Sequence, residues 1–425
     1  MTKPHRVIVA TDIPFWLLAN GAHQRMAALS RLFHRPPFEL TVFYLGATSD
    51  DILAAARSKG IRLEQFQRGE ATGVFASAMA RLDRLRGKTR PNDDVKRDSS
   101  LTLADYAWPT AKRQFAKLLR QQAPQTVILE YVTMAYLAPV IREAGVRARL
   151  VLDSHDILHR RCAQFNAAGY RHWLQINEQE EIDAVRKFDV ILAIQSDEAE
   201  WFRRVAPTTN VLTVGHCFDF DQLQPTWRHS PDGPLVIGYF GSHNGSNVDA
   251  VSGFVQGAWP RIVDATGGAL ELLIGGTIVD SPLVKQLGGV AGVRLQRDFA
   301  SPGKFYETVD LVINPVRFGT GLKIKTIEAL AHGRPVVTTS SGRVGISSSF
   351  DRACAAVDSV EQMVDPIVER VRDRAELVKL SQSAYQSAKA EFSEEAILGE
   401  FRRLLLAESE RPTPKSPRGG QKILE

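Results

Sequence analysis

The sequence predicts an α/β protein made of two parallel-sheet domains, and three observations lead there. Short β-branched runs recur between longer amphipathic stretches. That rhythm breaks once, at a proline-rich segment near the middle of the chain, and then restarts. With 425 residues, 44% of them hydrophobic, the chain is long enough for two cores.

In the first half, RVIVAT (6–11), ELTVFYLG (39–46), TVILEY (126–131), RLVLD (149–153), VILAI (190–194) and VLTV (211–214) read as buried strands. AHQRMAALSRLF (22–33) and DYAWPTAKRQFAKLLRQQ (105–122) read as helices between them, the second interrupted at Pro109. Apolar runs of this length, alternating with helical patterns, imply βαβ units. DFDQLQPTWRHSPDGP (219–234) carries three prolines and little periodicity, so it reads as a linker. VIGYFG (236–241), LELLIGG (270–276), VRLQ (293–296), LVINPV (311–316) and PVVTT (335–339) then supply a second sheet. The expected domains are 1–218 and 235–388, followed by a segment 389–409 and a tail 410–425.

Charge and cysteine usage narrow the class. Fifty-three basic against 48 acidic residues leave a net charge of +5, and the isoelectric point is near 9.1. That excess is small and no basic stretch is interleaved with aromatics, so nucleic acid is not an expected partner. Cys162, Cys217 and Cys354 are scattered with no CxxC spacing. Neither a disulfide framework nor a zinc site is expected, and a reducing, cytoplasmic setting fits. MTKPHRVIVATDIPFWLL enters an apolar run at once and reads as a first core strand, not a signal peptide. No stretch reaches the roughly 18 apolar residues of a membrane span. The segment 81–98 and the Pro/Gly-rich tail 410–425 collect basic residues. They read as solvated or disordered chain, or as a weak, salt-sensitive contact with an anionic membrane surface.

The most informative stretch is FGTGLKIKTIEALAHGRPVV (318–337). Gly319 and Gly321 let a ligand approach the backbone. A helix is expected over 322–332, closed by Gly333, and its N-terminus favours an anion. Lys323 falls in the expected first turn. Lys325 lies two positions on, about 200° around the helix, so the two lysines cannot serve one ligand alike. Glu328 shares the azimuth of Gly321 and stands about 10 Å farther along. Phosphates at the loop and hydroxyls farther on would engage both ends. A Lys325–Glu328 surface pair is the plainer alternative.

GTGLKIKTIEALAHGRPVVTT resembles the nucleotide-sugar motif of the retaining family 4 glycosyltransferases. VIGYFGSHNGSNVDAVSGFVQGAWPRI, LLIGG and VRLQRDFASPGKFYETVDLVINP resemble the rest of their second domain, so that the likeness is specific over 234–345. In the first half PFWLLANGAHQRMAALSRL, VLDSHD and VILAIQSDEAEWFRR are similar more loosely, and AEFSEEAILGEFRRLLL (390–406) looks like the family's terminal helix. The resemblance implies a GT-B fold: two facing Rossmann-like domains, with a C-terminal helix crossing back to the first. It implies retaining transfer of a hexosyl or related sugar from a nucleoside-diphosphate sugar to a glycan or lipid-linked acceptor. The expected setting is bacterial surface polysaccharide or glycoconjugate synthesis in the cytoplasm, at the inner face of the membrane. No metal or cofactor is implied. An epimerase or phosphorylase on the same fold, and a non-catalytic glycan- or partner-binding protein, stay open.

Roles carry over residue by residue. Glu328 matches the acid that binds the ribose, and Gly319, Thr320 and Gly321 match the donor loop. Thr320 stands where relatives place another glutamate. The turn at Gly241 lacks the arginine and lysine that relatives use on the diphosphate. Lys323 is therefore the first candidate for that charge, with Lys325, Arg317 and Arg343 in reserve. His155 matches a histidine that contacts the donor sugar, with Asp153 and Asp156 to orient it. Without the resemblance it reads as a surface or core-edge hydrogen-bonder. Gly21 and Arg25 match the cleft side of the first loop and helix, although Arg25 alone would read as a solvated helix residue.

Overall fold

The computed structural model describes residues 4–18, 21–67, 101–170, 172–223 and 233–409. The basic segment 81–98, most of the proline-rich linker and the tail 410–425 lie outside them.

The first sheet has seven strands: β1 (His5–Thr11), β2 (Phe38–Tyr44), β3 (Leu63–Gln65), β4 (Thr126–Glu130), β5 (Arg149–Asp153), β6 (Val190–Ala193) and β7 (Asn210–Thr213). Their order is β3-β2-β1-β4-β5-β6-β7, and every pairing is parallel. Register is fixed at the centre, where Ile8 sits between Thr41 and Val127. The second sheet has six strands: β8 (Leu235–Phe240), β9 (Leu270–Gly275), β10 (Val293–Gln296), β11 (Leu311–Asn314), β12 (Val336–Thr339) and β13 (Cys354–Val357). It runs β10-β9-β8-β11-β12-β13, also parallel. Central strands are covered by helices on both faces, which is why they read as unbroken apolar runs.

Three local expectations need correction. Pro109 does not interrupt a helix. It is the first residue of Pro109–Gln122, where its missing N–H is no loss, and a separate 3-10 turn, Leu103–Tyr106, precedes it. The edge strands β3 and β13 were not expected, because LEQ and CAAV carry no β-branched run. The helix after β11 starts at Ile324, so Lys323 is its N-cap and not a first-turn residue.

Strand order reverses between β1 and β4 and again between β8 and β11. Crevices at the carboxyl ends of strands form at such switch points. Here the two crevices face each other. Gly21, at the start of helix Gly21–Phe33, lies so close to Ile324 that a Cβ would stand 2.7 Å from its Cδ1.

The chain crosses between the domains twice, at adjacent points. The Phe218 N–H donates to the Phe392 carbonyl at 2.8 Å, which joins the linker to the end of helix Arg374–Phe392. At Ser393 the backbone is extended, and helix Glu394–Ser409 then packs on the first domain. Its Leu398, Phe401 and Leu405 join Val7, Val9, Leu29 and Phe33 in one apolar cluster. Arg31 also donates to Glu394 at 2.5 Å.

Gly238, in β8, tests how tightly the second core is filled. A Cβ there would lie 2.7 Å from Val309 Cγ1 and 2.8 Å from Phe305 Cζ. Gly238→Ala is expected to destabilise the protein by about 1–3 kcal/mol through overpacking. A urea unfolding midpoint measures this, and an unchanged midpoint would mean that this face can relax.

Candidate functional site

The second domain supplies a loop and a helix. Gly319 and Gly321 adopt φ of 122° and 74°, values that a β-carbon would strain. Lys323 turns back into the loop, and its Nζ donates to the carbonyls of Gly319 at 2.7 Å, Thr320 at 3.0 Å and Gly321 at 3.1 Å. Burial draws its pKa down to about 8, against the opposing charge of Asp156. Lys323 therefore holds the loop in shape instead of reaching outward as expected.

Lys325 takes the other direction. Its Nζ donates to Asn247 Oδ1 at 2.5 Å and lies 5.7 Å above the Tyr239 ring. A Cβ on Gly241 would be 3.4 Å from Lys325 Cε, so this lysine stands at the turn after β8. That turn leads into helix Gly245–Gly257, capped by Asn244, whose side chain accepts from the Asn247 N–H. A cation, a helix N-terminus and a glycine turn make an anion seat. Arg317 and Arg343 are engaged elsewhere, in pairs with Asp249 and Asp351. Asn247 and Tyr239 were not singled out in the sequence.

Glu328 is 7% exposed. Its carboxylate accepts from Tyr306 Oη at 3.1 Å and from the Gln24 side chain of the first domain. Burial pushes its pKa up to about 7, with the two hydrogen bonds and the Lys325 charge opposing that rise. Glu328 is thus a buried acid held by Tyr306 and Gln24, not a surface residue as the alternative pairing with Lys325 required. Glu328 lines a cavity of about 420 Å³ between the domains, along with Gln24, His216, Ser301, Tyr306 and His332.

The first domain brings its strand ends to the same cleft. His155 follows β5 with φ of 59° and stacks on Tyr131 at 4.0 Å. Its Nε2 lies 2.7 Å from Glu130 Oε2 and 3.4 Å from Asp153 Oδ2. Glu130, from the end of β4, is thus the nearest acid to the imidazole; the sequence reading named only the neighbouring aspartates. Asp156 turns away, toward the glycine loop, and accepts from Thr320 Oγ1 at 2.9 Å.

Arg25 is not a solvated residue, nor does it present a cation to the cleft. It is 3% exposed and Asp153 is 0% exposed. The guanidinium donates to both oxygens of Asp153, with Nη2 at 2.5 Å, and to the carbonyls of Val214 at 2.6 Å and Gly215 at 2.9 Å. Burial works against both charges, yet their mutual attraction raises the Arg25 pKa and lowers that of Asp153. Among the described residues, Glu130, Asp153 and His155 bring three possible ligand atoms within 4.8 Å of one another. Arg25 already places positive charge on that group.

Comparison with known proteins bears on the fold that carries this cleft. Residues 234–373 match the family described as Glycosyl transferases group 1. No curated protein matches the chain in sequence. Among solved structures, a sucrose-phosphate synthase from Thermosynechococcus elongatus superposes with a TM-score of 0.67 at 14% identity, covering 95% of this chain and 100% of its own. HepE from Anabaena, in complex with UDP and glucose, gives 0.62 at 14% identity, with 95% and 100% covered. TarM gives 0.65 at 12% identity, with 94% and 98% covered. At these identities the likeness establishes the fold, which is GT-B.

Removing Arg25 would leave Asp153 and two carbonyls buried without their donors. Arg25→Met is therefore expected to destabilise the protein by about 3–5 kcal/mol. Denaturant unfolding checks this. A variant of wild-type stability that loses only ligand affinity would return Arg25 to the donor site.

Proposed function

We propose that the protein is a retaining glycosyltransferase of the family 4 type, moving a sugar from a nucleoside-diphosphate sugar to a saccharide or lipid-linked acceptor. One observation carries the reading. Lys325 and Glu328 stand one turn apart on the helix Ile324–Ala331, the first at the Gly241 turn and the second in the interdomain cavity. A diphosphate at the turn and a ribose in the cavity would meet a cation and a carboxylate at the spacing they need. The glycosyltransferase family match over 234–373 supports the same reading.

The chemistry asked of this chain is positioning and charge. As the donor bond breaks, negative charge grows on the leaving diphosphate, and Lys325 and the N-terminus of helix Gly245–Gly257 stabilise it. The leaving phosphate takes the acceptor proton on the face from which it departs, which retains the anomeric configuration. The setting is bacterial surface polysaccharide or glycoconjugate synthesis. Among the described residues no helix is long and apolar enough to cross a membrane. Contact with an anionic membrane would rest on 81–98 and is tested by vesicle co-sedimentation at low and high salt.

The deciding experiment is nucleotide release from a panel of nucleoside-diphosphate sugars, with and without a lipid-linked glycan acceptor. Release that depends on acceptor supports transfer. Binding without release would make the protein a non-catalytic sugar-nucleotide binder.

Three variants test the roles. Glu328→Gln is expected to weaken donor affinity about 10–100-fold, as loss of a charged hydrogen-bond acceptor does. In the wild-type protein affinity should rise as pH passes upward through about 7, because the buried carboxyl must ionise to accept ribose hydroxyls. Calorimetry across that range should show the dependence vanish in the variant. Lys325→Ala should lower turnover more than donor affinity, since it meets charge that develops in the transition state. Lys323→Ala should instead disorder the loop and weaken donor binding. The opposite pattern in steady-state kinetics would exchange the two lysines.

A further inference from the structure

We infer that Asp156 recognises the sugar half of the donor, its free carboxylate oxygen accepting a hydrogen bond from a hydroxyl of the transferred glycosyl unit. The inference rests on the donor-site reading above and assigns a first-domain residue to it. Asp156 is 2% exposed and faces the glycine loop of the second domain. One oxygen, Oδ2, accepts from Thr320 Oγ1 at 2.9 Å and from Arg161 Nη1 at 3.1 Å. The other, Oδ1, is buried and has no hydrogen-bond partner among the described residues. A buried carboxylate oxygen without a donor is unfavourable, so one left in this state marks a place that a ligand group completes.

The surroundings say which group. Gly321 lies against this carboxylate, and a Cβ there would stand 3.3 Å from Oδ2 and 3.7 Å from Oδ1. The glycine thus places no side chain between the loop and the Asp156 carboxylate. Glu198, whose pKa is raised by burial and then by the charge of Asp156, favours its protonated form and is not a second bare acceptor. The acceptor without a donor is Asp156 Oδ1, and it suits a ligand hydroxyl. It does not suit a phosphate, whose oxygens only accept and whose charge a carboxylate repels. The anion seat lies at Gly241 and Lys325, in the second domain, whereas Asp156 stands at the loop on the side of the first domain. A sugar extending from the phosphates toward the first domain would come to Asp156.

The competing account makes Asp156 a strut between the domains and nothing more. Binding measurements separate the two. The probes are the nucleoside-diphosphate sugar that wild-type protein binds most tightly in the panel, its parent nucleoside diphosphate, and deoxy forms of the same sugar. Asp156→Asn should lower affinity for the sugar nucleotide by about tenfold or more and leave the parent nucleotide nearly unchanged. In wild-type protein one deoxy sugar should show a similar loss, and that loss should disappear in Asp156→Asn, as a double-mutant cycle requires. Gln164→Ala removes a different interdomain bond, the one to the Gly319 N–H at 3.1 Å, and should not reproduce the selective loss. Equal weakening of sugar nucleotide and parent nucleotide, or the same selectivity change in Gln164→Ala, would leave Asp156 a strut. If Asp156→Asn does not fold, the deoxy series on wild-type protein decides, and a flat series overturns the inference. Failure of wild-type protein to bind any sugar nucleotide would instead remove the donor-site reading, and this inference with it.

Discussion

The buried pair between Arg25 and Asp153 is the interaction on which the first domain's half of the cleft depends. Arg25 comes from the helix that follows β1, Asp153 ends β5, and the two carbonyls on the guanidinium follow β7. One side chain therefore ties three crossover connections at the carboxyl edge of the sheet. Burying two charges is costly, and such a pair contributes little net stability. Its effect is on position. With the guanidinium in place, Asp153 lies beside His155, and the helix start carries Gly21 up to Ile324 of the other domain.

The glycine loop has a comparable organiser in Lys323. Three carbonyls converge on its ammonium, so a segment with two glycines at positive φ keeps one shape. The first domain then grips the loop from outside. Gln164 meets the Gly319 N–H and Asp156 meets Thr320, while Phe318 contacts the rings of Phe165 and Tyr170. Loop geometry and domain closure are consequently one property. Any movement that opens the cleft must break these contacts together.

This division assigns different work to two lysines that look equivalent in the sequence. Lys323 and Lys325 are separated by one residue, and the expected helix start put the first of them nearer the phosphates. The helix begins at Ile324, so Lys323 belongs to the loop and Lys325 to the first turn. A shift of helix start by two residues is within the ordinary uncertainty of reading a boundary from sequence. Here that shift decides which cation faces the Gly241 turn.

The sequence by itself determined the fold class. Alternation of short apolar runs with amphipathic stretches is a local property, written into every βαβ unit, and the central strands appear where it places them. It also picked out 318–337, because glycines, cations and a single acid at helical spacing are visible without any partner. Edge strands β3 and β13 escaped because their pairing, not their composition, makes them strands. Only the tertiary structure decided that Arg25 is buried on Asp153, that Glu130 approaches His155 and that Asp156 faces Thr320. Those partners lie 128, 25 and 164 positions apart in the chain. No local pattern encodes a contact at such separations. It exists because two sheets, each folded by its own periodicity, present their strand ends to each other, and burial then leaves each charged side chain only the partner that geometry provides.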